Sequence, residues 1–185
     1  MYDINRQFLS KFSNSFKRKY SYKLRTNKKF KLFYGGLLQR YLKNVVKKTL
    51  KRKNDSFRAF MNSTTYFLNI IEKRLDVVLY RSHFATSVRL ARQLILHKHI
   101  KVNKVVIKDY AYTLKKGDII EVDLTGSKIV ELSLQNSHFW PLPSKSLSIN
   151  YKILQIVFQD INYQNHSTNF PFWTDLSTII QNYRR

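Results

Sequence analysis

The sequence predicts an α+β fold, with helices first and then a small, mainly antiparallel sheet. Three observations predict it. Apolar residues recur at three- and four-residue spacing up to about residue 97. From residue 100 the spacing changes to two. Turn-forming pairs separate the runs. The 185 residues allow one domain, or two small ones, each with a modest core.

Taken in order, residues 37–53 read as a helix, because Leu37, Leu38, Tyr41, Leu42, Val45, Val46 and Leu50 form one apolar stripe. Gly35-Gly36 precedes it and Asn54-Asp55-Ser56 follows it. A second helix is predicted over 57–72, with Phe57, Phe60, Met61, Phe67, Leu68 and Ile71 inward. Leu75, Val78 and Leu79 fit a short third helix, ended at Ser82-His83. Thr86 or Ser87 then caps a helix to about His97, with Val88, Ala91, Leu94 and Ile95 inward. Arg89, Arg92 and Gln93 stand at i, i+3 and i+4, so they share one exposed face.

The sheet follows. Ile100 and Val102 alternate with Lys101 and Asn103, a tight turn falls at Asn103-Lys104, and Val105–Ile107 continue. Lys115-Lys116-Gly117-Asp118 is a turn before the alternation of Ile120, Val122 and Leu124. Gly126 ends that strand, and Val130, Leu132 and Leu134 predict another. A further strand is predicted at 147–158, then a short helix through Leu176, Ile179 and Ile180.

The charge narrows function. The chain carries 34 Lys+Arg against 11 Asp+Glu, a net charge of +23. A chain this basic repels itself as it compacts, so a polyanionic partner is implied. Most of the excess lies in residues 1–60, with 18 Lys/Arg against two acids; residues 129–185 hold four against three. The absence of cysteine excludes disulfide frameworks, Cys-based zinc sites and thiol nucleophiles. No apolar run approaches the roughly 18 residues of a membrane-spanning helix. Hydrophobic content of 43% is too high for a wholly disordered basic tail. Abundant Lys, Ile, Asn, Phe and Tyr beside only four Gly and three Pro match A/T-biased codons, as in an organellar genome or in an A/T-rich nuclear or bacterial one.

No catalytic constellation stands out. His83, His97, His99, His138 and His166 lack metal-ligand spacing, and His97 and His99 are expected to diverge at a helix-to-strand junction. There is no Gly-rich phosphate loop. Asp76, between Arg74 and Arg81, reads better as an ion pair that orients an arginine than as a catalytic carboxylate. No catalytic residue, metal or cofactor is therefore assigned. The basic side chains carry more information. Arg74, Arg81, Arg89, Arg92, Lys98, Lys101, Lys104 and Lys108 fall in one stretch with a clear core pattern, and with Ser87, Gln93 and Asn103 they make the candidate RNA-binding set. Guanidinium groups at i and i+3 fork onto adjacent phosphates and stack on unpaired bases. Lys17, Arg18, Lys19, Lys28, Lys29 and Lys31 in a basic arm, and Arg40, Lys47, Lys48, Lys51 and Arg52 on the first helix, form a second set.

Residues 74–122 closely resemble the RNA-binding module named after the fourth protein of the small ribosomal subunit ("S-four"). The marks are Arg74-Leu75-Asp76, Ala91-Arg92-Gln93-Leu94, Lys101-Val102-Asn103 and Gly117-Asp118, in that order. Phe33-Tyr34-Gly35 and the helix to Arg52 resemble the segment before the module in that ribosomal protein. Trp140-Pro141, Pro171 with Asp175, and Ile180–Tyr183 resemble its C-terminal tail. Many family members carry glycine where this chain has His83 and Lys104, and some carry an N-terminal zinc knuckle for which this chain has no cysteines.

The resemblance implies a helical N-terminal domain with the module inserted and a tail returning to it. Residues 1–33 are then a basic N-terminal arm, 34–72 a helical domain on which 166–185 packs back, and 73–165 the module and following strands, with a core motif at 74–124. The arm is preferred to a cleaved targeting segment because the basic stretch runs unbroken to Arg58. The resemblance further implies a structural protein that binds small-subunit rRNA, supports assembly and takes part in translation. Neighbouring small-subunit proteins are the other implied partners, the fifth among them, near the mRNA entrance; no membrane or DNA is implied. The expected location is the mitochondrial matrix, bound to the ribosome, with the plastid as alternative. The same module also occurs in pseudouridine synthases and a ribosome-rescue factor. Only about 60 residues follow it here, short of the separate catalytic domain of roughly 150 residues or more that such an enzyme needs.

Overall fold

The structure is a computed structural model that describes residues 16–51, 62–135, 143, 144, 146–159, 170, 172 and 174–184, with side chains from Tyr20 onward. Among these, seven helices and a five-stranded antiparallel sheet form an α+β fold. The helices α1 (Phe16–Phe33), α2 (Gln39–Lys51), α3 (Ser63–Glu72), α4 (Leu75–Arg81) and α5 (Val88–Leu96) precede the sheet. Strands β1 (Ile100–Val102), β2 (Val105–Val106) and β3 (Ile119–Val122) come next, then α6 (Leu124–Gln135), β4 (Leu147–Asn150), β5 (Gln155–Phe158) and α7 (Leu176–Tyr183). The sheet order is β2-β1-β3-β5-β4. No helix among the described residues is long and apolar enough to cross a membrane.

Two cores result. One buries Phe30, Tyr34, Leu42, Val46, Phe67 and Ile71 with Ile179 and Tyr183, so α7 packs among the front helices. The other buries Leu79, Phe84, Ala91, Leu94 and Ile95 against Ile100, Ile120 and Ile156 of the sheet. Helix α4 belongs to both: Leu75, Val78 and Leu79 enter the sheet core and Val77 the helical one. The loop after β2 returns to the α3–α4 junction, where Tyr112 O accepts from Leu75 N at 2.9 Å and Lys73 O from Leu114 N at 2.9 Å.

Several expectations need correction. The alternation of Val130, Leu132 and Leu134 is helical, not extended, and Gly126 does not break the chain there: both lie in α6. Gly126, Val130 and Ser133 are the buried face, at helical spacing, while Leu132 is exposed; the period-two pattern coincides with this spacing over too few residues to decide. Asp123 O starts the helix by accepting from Gly126 N and Ser127 N. The single strand predicted at 147–158 is a hairpin, turned at 151–154, with Leu154 in the left-handed region at φ 50°. Helix α3 is described from Ser63; Phe57, Phe60 and Met61 lie outside the described residues. The segment read as a basic arm contains α1, whose end sends Phe30 into the helical core. His97 and His99 do not diverge, since their ring centroids are 6.1 Å apart. Their intervening Lys98, at φ 65°, closes the end of α5: Lys98 N donates to Ile95 O and His99 N to Leu94 O. His138, His166, Trp140, Pro141 and Pro171 lie outside the described residues.

Gly126 gives a test with a counterintuitive sign. Helix propensity alone favours Gly126→Ala by about 1 kcal/mol. A Cβ there, however, stands 2.7 Å from the His99 Cβ at the start of β1. The substitution is expected to destabilise the fold by about 1–3 kcal/mol, the range for overpacking, read from urea unfolding.

Candidate nucleic-acid interface

The first question is which basic side chains reach solvent. Two buried carboxylates answer much of it. Glu72, 5% exposed at the end of α3, accepts from Arg81 Nη2 at 2.8 Å and Nε at 3.1 Å. It also accepts from Tyr34 Oη at 2.5 Å. Asp76 is fully buried in the first turn of α4 and accepts from Arg74 Nε at 3.0 Å and Nη2 at 2.8 Å. Asp76 Oδ2 also takes a bond from Arg92 Nε at 2.8 Å. Arg92 then reaches across the molecule, with Nη1 on Gly35 O at 2.6 Å and Nη2 on Tyr34 O at 2.7 Å.

Aromatic faces complete these arginine sites. Arg74 lies 4.8 Å from the Tyr41 centroid, Arg81 5.2 Å from Phe33 and Arg92 5.1 Å from Tyr110. Burial disfavours charge on Arg74 and Arg81, but the bonds from Asp76 and Glu72 outweigh it and hold both guanidinium pKa values above the ordinary one. Burial, reinforced by Glu72, raises the Tyr34 phenol well above its usual pKa, so Tyr34 stays a donor. Gly35 sits at φ 70°, and a Cβ there would meet Val88 at 3.1 Å and Arg92 at 3.2 Å. Glycine is what lets the turn come this close to α5.

These contacts divide the candidate set. Arg74 and Arg81, 3% and 5% exposed, are taken out of any surface, and Arg92, 18% exposed, is largely spent inward. So Arg89 and Arg92 do not act as one exposed pair. The side chain of Ser87 caps α5, accepting from Leu90 N at 3.2 Å. Asn103 builds the hairpin turn, donating to Asp118 and accepting from Ile119 N, each at 3.0 Å. Lys101 pairs with Asp123 at 2.7 Å, which lowers the Asp123 pKa.

What remains outward is Arg89, Gln93, Lys98, Lys104 and Lys108, all exposed and in no ion pair among the described residues. Arg89 and Gln93 line one face of α5, and Lys98 follows at its end. Lys28 and Lys29 on α1, and Arg40, Lys47, Lys48 and Lys51 on α2, are exposed as well. Lys31 is half-buried and lies 5.6 Å from the Tyr183 ring centroid. The side chains of Lys17, Arg18 and Lys19, and all of Arg52, lie outside the described residues. Among the described residues no group of three His, Cys, Asp or Glu is placed to hold a metal ion.

The family description "S4 domain" matches residues 73–120. The small ribosomal subunit protein uS4m of Marchantia polymorpha is 32% identical over 165 residues, covering 86% of this chain and 77% of that protein. The chain belongs to the uS4 family. The uS4m protein of Reclinomonas americana is 27% identical over 175 residues, 89% of this chain and 66% of that protein. The uS4 protein of Pelagibacter ubique is 36% identical over 103 residues, 56% of this chain and 47% of that protein. The matched part of the chain thus spans from about half to three quarters of these relatives' own length.

Two uS4 features that the sequence marked as unusual find a structural explanation. His83 and Lys104, the positions where the resemblance implied glycine, both occupy the left-handed region, at φ 65° and 69°. Asn103 precedes Lys104 at φ 51°, which gives the pair of positive φ values that a tight antiparallel hairpin needs. Sequence reading missed Tyr34, Glu72 and the carbonyls of Tyr34 and Gly35 as partners of arginine. The Phe33-Tyr34-Gly35 motif was the available signal.

The two kinds of arginine should behave differently on truncation. Asp76→Ala, which strands buried Arg74, is expected to cost about 3–5 kcal/mol. Arg89→Ala, which removes an exposed side chain, should change stability by less than about 0.5 kcal/mol. Parallel urea titrations of the two variants check both values.

Proposed function

We propose that the chain is a structural constituent of the small subunit of a mitochondrial ribosome, where it binds small-subunit rRNA and supports the subunit's assembly and translation. The observation that carries this reading is the sorting of its basic residues. Internal partners consume Arg74, Arg81 and Arg92, while Arg89, Gln93, Lys98, Lys104 and Lys108 stay outward on a rigid α+β scaffold. Rigid presentation of cations suits a folded RNA, whose backbone is recognised by shape and phosphate position. The uS4m relatives from Reclinomonas americana and Marchantia polymorpha support the organellar setting.

Attachment is electrostatic first. Each phosphate that a lysine or arginine neutralises releases counterions, so affinity falls with salt. The exposed cations of α1 and α2 supply attraction, and those of α5 and the β1–β2 turn fix register. The nearly neutral C-terminal third serves packing, as Ile156, Phe158, Ile179 and Tyr183 do, or a surface for protein neighbours, among which the fifth small-subunit protein is the one the family resemblance implies.

Charge reversal at Arg89 tests the reading. Arg89→Glu should weaken binding to a small-subunit rRNA transcript and reduce the salt slope by about 0.7–0.9 for each phosphate no longer neutralised. The circular dichroism spectrum should not change. Unaltered affinity and slope would remove this face from the interface.

A further inference from the structure

A cavity of about 280 Å³ opens at the seam between the two cores. Its walls come from the end of α1 (Leu32, Phe33), from Tyr80 on α4, and from the start of α5, where Thr86, Ser87 and Arg89 stand at its rim. Drug-sized ligands occupy pockets of roughly 300–1,000 Å³, so this one suits a single flat ring system. The apolar wall is fixed: Phe33 and Tyr80 meet edge to face, with centroids 5.8 Å apart and planes at 83°. Phe33 is braced from behind by Tyr34, Phe170 and Phe172.

The polar groups at this seam are uncommitted. Tyr80 Oη, the Thr86 hydroxyl and the Arg89 guanidinium have no hydrogen-bond partner among the described residues. Ser87 Oγ accepts from Leu90 N and keeps its own proton to give. Burial, ahead of a smaller contribution from Glu72, raises the Tyr80 pKa, so its hydroxyl is present as a donor at neutral pH. Tyr80 Oη is not among the buried polar atoms without a partner, so it faces the open cavity, where a ligand's polar edge can displace water from it. The surroundings are cationic: Arg89 is at the mouth, and exposed Lys28 lies one helical turn before Leu32 on α1.

We infer that this seam holds one unpaired nucleobase of the bound RNA, its ring against Phe33 and Tyr80 and its phosphate on Arg89. The inference rests on the RNA-binding reading above and deepens it. An aromatic wall supplies stacking, which every base accepts, while the Tyr80 and Thr86 hydroxyls read a base edge. A phosphate alone would not need the apolar wall. A protein side chain would not need the cations.

Thr86→Trp tests it, because an indole at this exposed position fills the cavity from the rim and leaves the charge unchanged. The full-length chain is bound to a small-subunit rRNA transcript, and every base is probed with base-specific chemical reagents. The expected result is one unpaired base protected by the wild type and reactive with Thr86→Trp, with affinity lower by about tenfold, in the range for removing one base–aromatic stack. Thr86→Ala, which leaves the cavity open, should retain that protection, and both variants should melt like the wild type. Tyr80→Phe, which keeps the ring, should weaken binding a few-fold and relax the preference for the base at that position. Identical protections and affinity for the wild type and Thr86→Trp would overturn the pocket while leaving rRNA binding in place. A wild type that binds the transcript no better than an unrelated RNA of equal length would overturn both.

Discussion

Glu72 and Asp76, two buried carboxylates on either side of the α3–α4 junction, hold this structure to one shape. Between them they take three guanidinium groups and one phenol: Arg81 and Tyr34 on Glu72, Arg74 and Arg92 on Asp76. A buried charge is tolerable only when it is paired and hydrogen-bonded, so each partner must be in place when the core closes. The partners come from the turn after α1, the α3–α4 junction, α4 and α5. Arg92 is the longest link, since it reaches from the module's helix α5 to the carbonyls that end α1. Apolar packing builds two cores here, with α4 packed into both. The ionic network adds fixed geometry between them, so the helical core and the sheet core should open as one unit.

The same network explains how a chain of net charge +23 still makes a compact core. Acids are scarce, and these two are placed where their effect is largest, inside and beside three arginines. Among the described residues, exposed cations stand on α1, α2, α5 and the β1–β2 turn. Their field draws in a polyanion, and the rigid frame sets where each charge can touch it. Among the described residues, three basic side chains sit at positive φ, where glycine would be unstrained: His83, Lys98 and Lys104. Backbone strain of about 1–2 kcal/mol at each such site is the cost of putting a side chain there. For Lys98 and Lys104, both exposed, the side chain so gained is a cation on the candidate interface.

Much of this was legible in the residues. The stripes of α2, α4 and α5, the Ser87 cap, the Asn103-Lys104 turn and the order of the S-four marks all express local periodicity or spacing, which survive folding. Asp76 was also legible as an orienter of arginine, because Arg74 is only two residues away. Two kinds of feature were hidden. Helix α6 hid because the alternation of Val130, Leu132 and Leu134 reads as a strand over so few residues; the burial of Gly126, Val130 and Ser133 with Leu132 exposed shows the helical face. The fate of Arg92 hid because its partners are 57 and 58 residues away in sequence. Spacing on a helix shows which side chains share a face, but not whether a distant loop will cover it. For the same reason the cavity beside Arg89 had no sequence signature, being made where α1, α4 and α5 meet.

Native-state hydrogen exchange on the wild-type chain tests the central claim most directly, namely that the two carboxylates join both cores into one cooperative unit. The amides of Val45, Val46 and Leu68 report the helical core, and those of Leu94, Ile95 and Ile120 the sheet core. The account predicts that the slowest amides of both sets exchange with one common opening free energy and respond to denaturant with one common slope. Two distinct free energies in the wild type, with either core opening while the other stays closed, would contradict it.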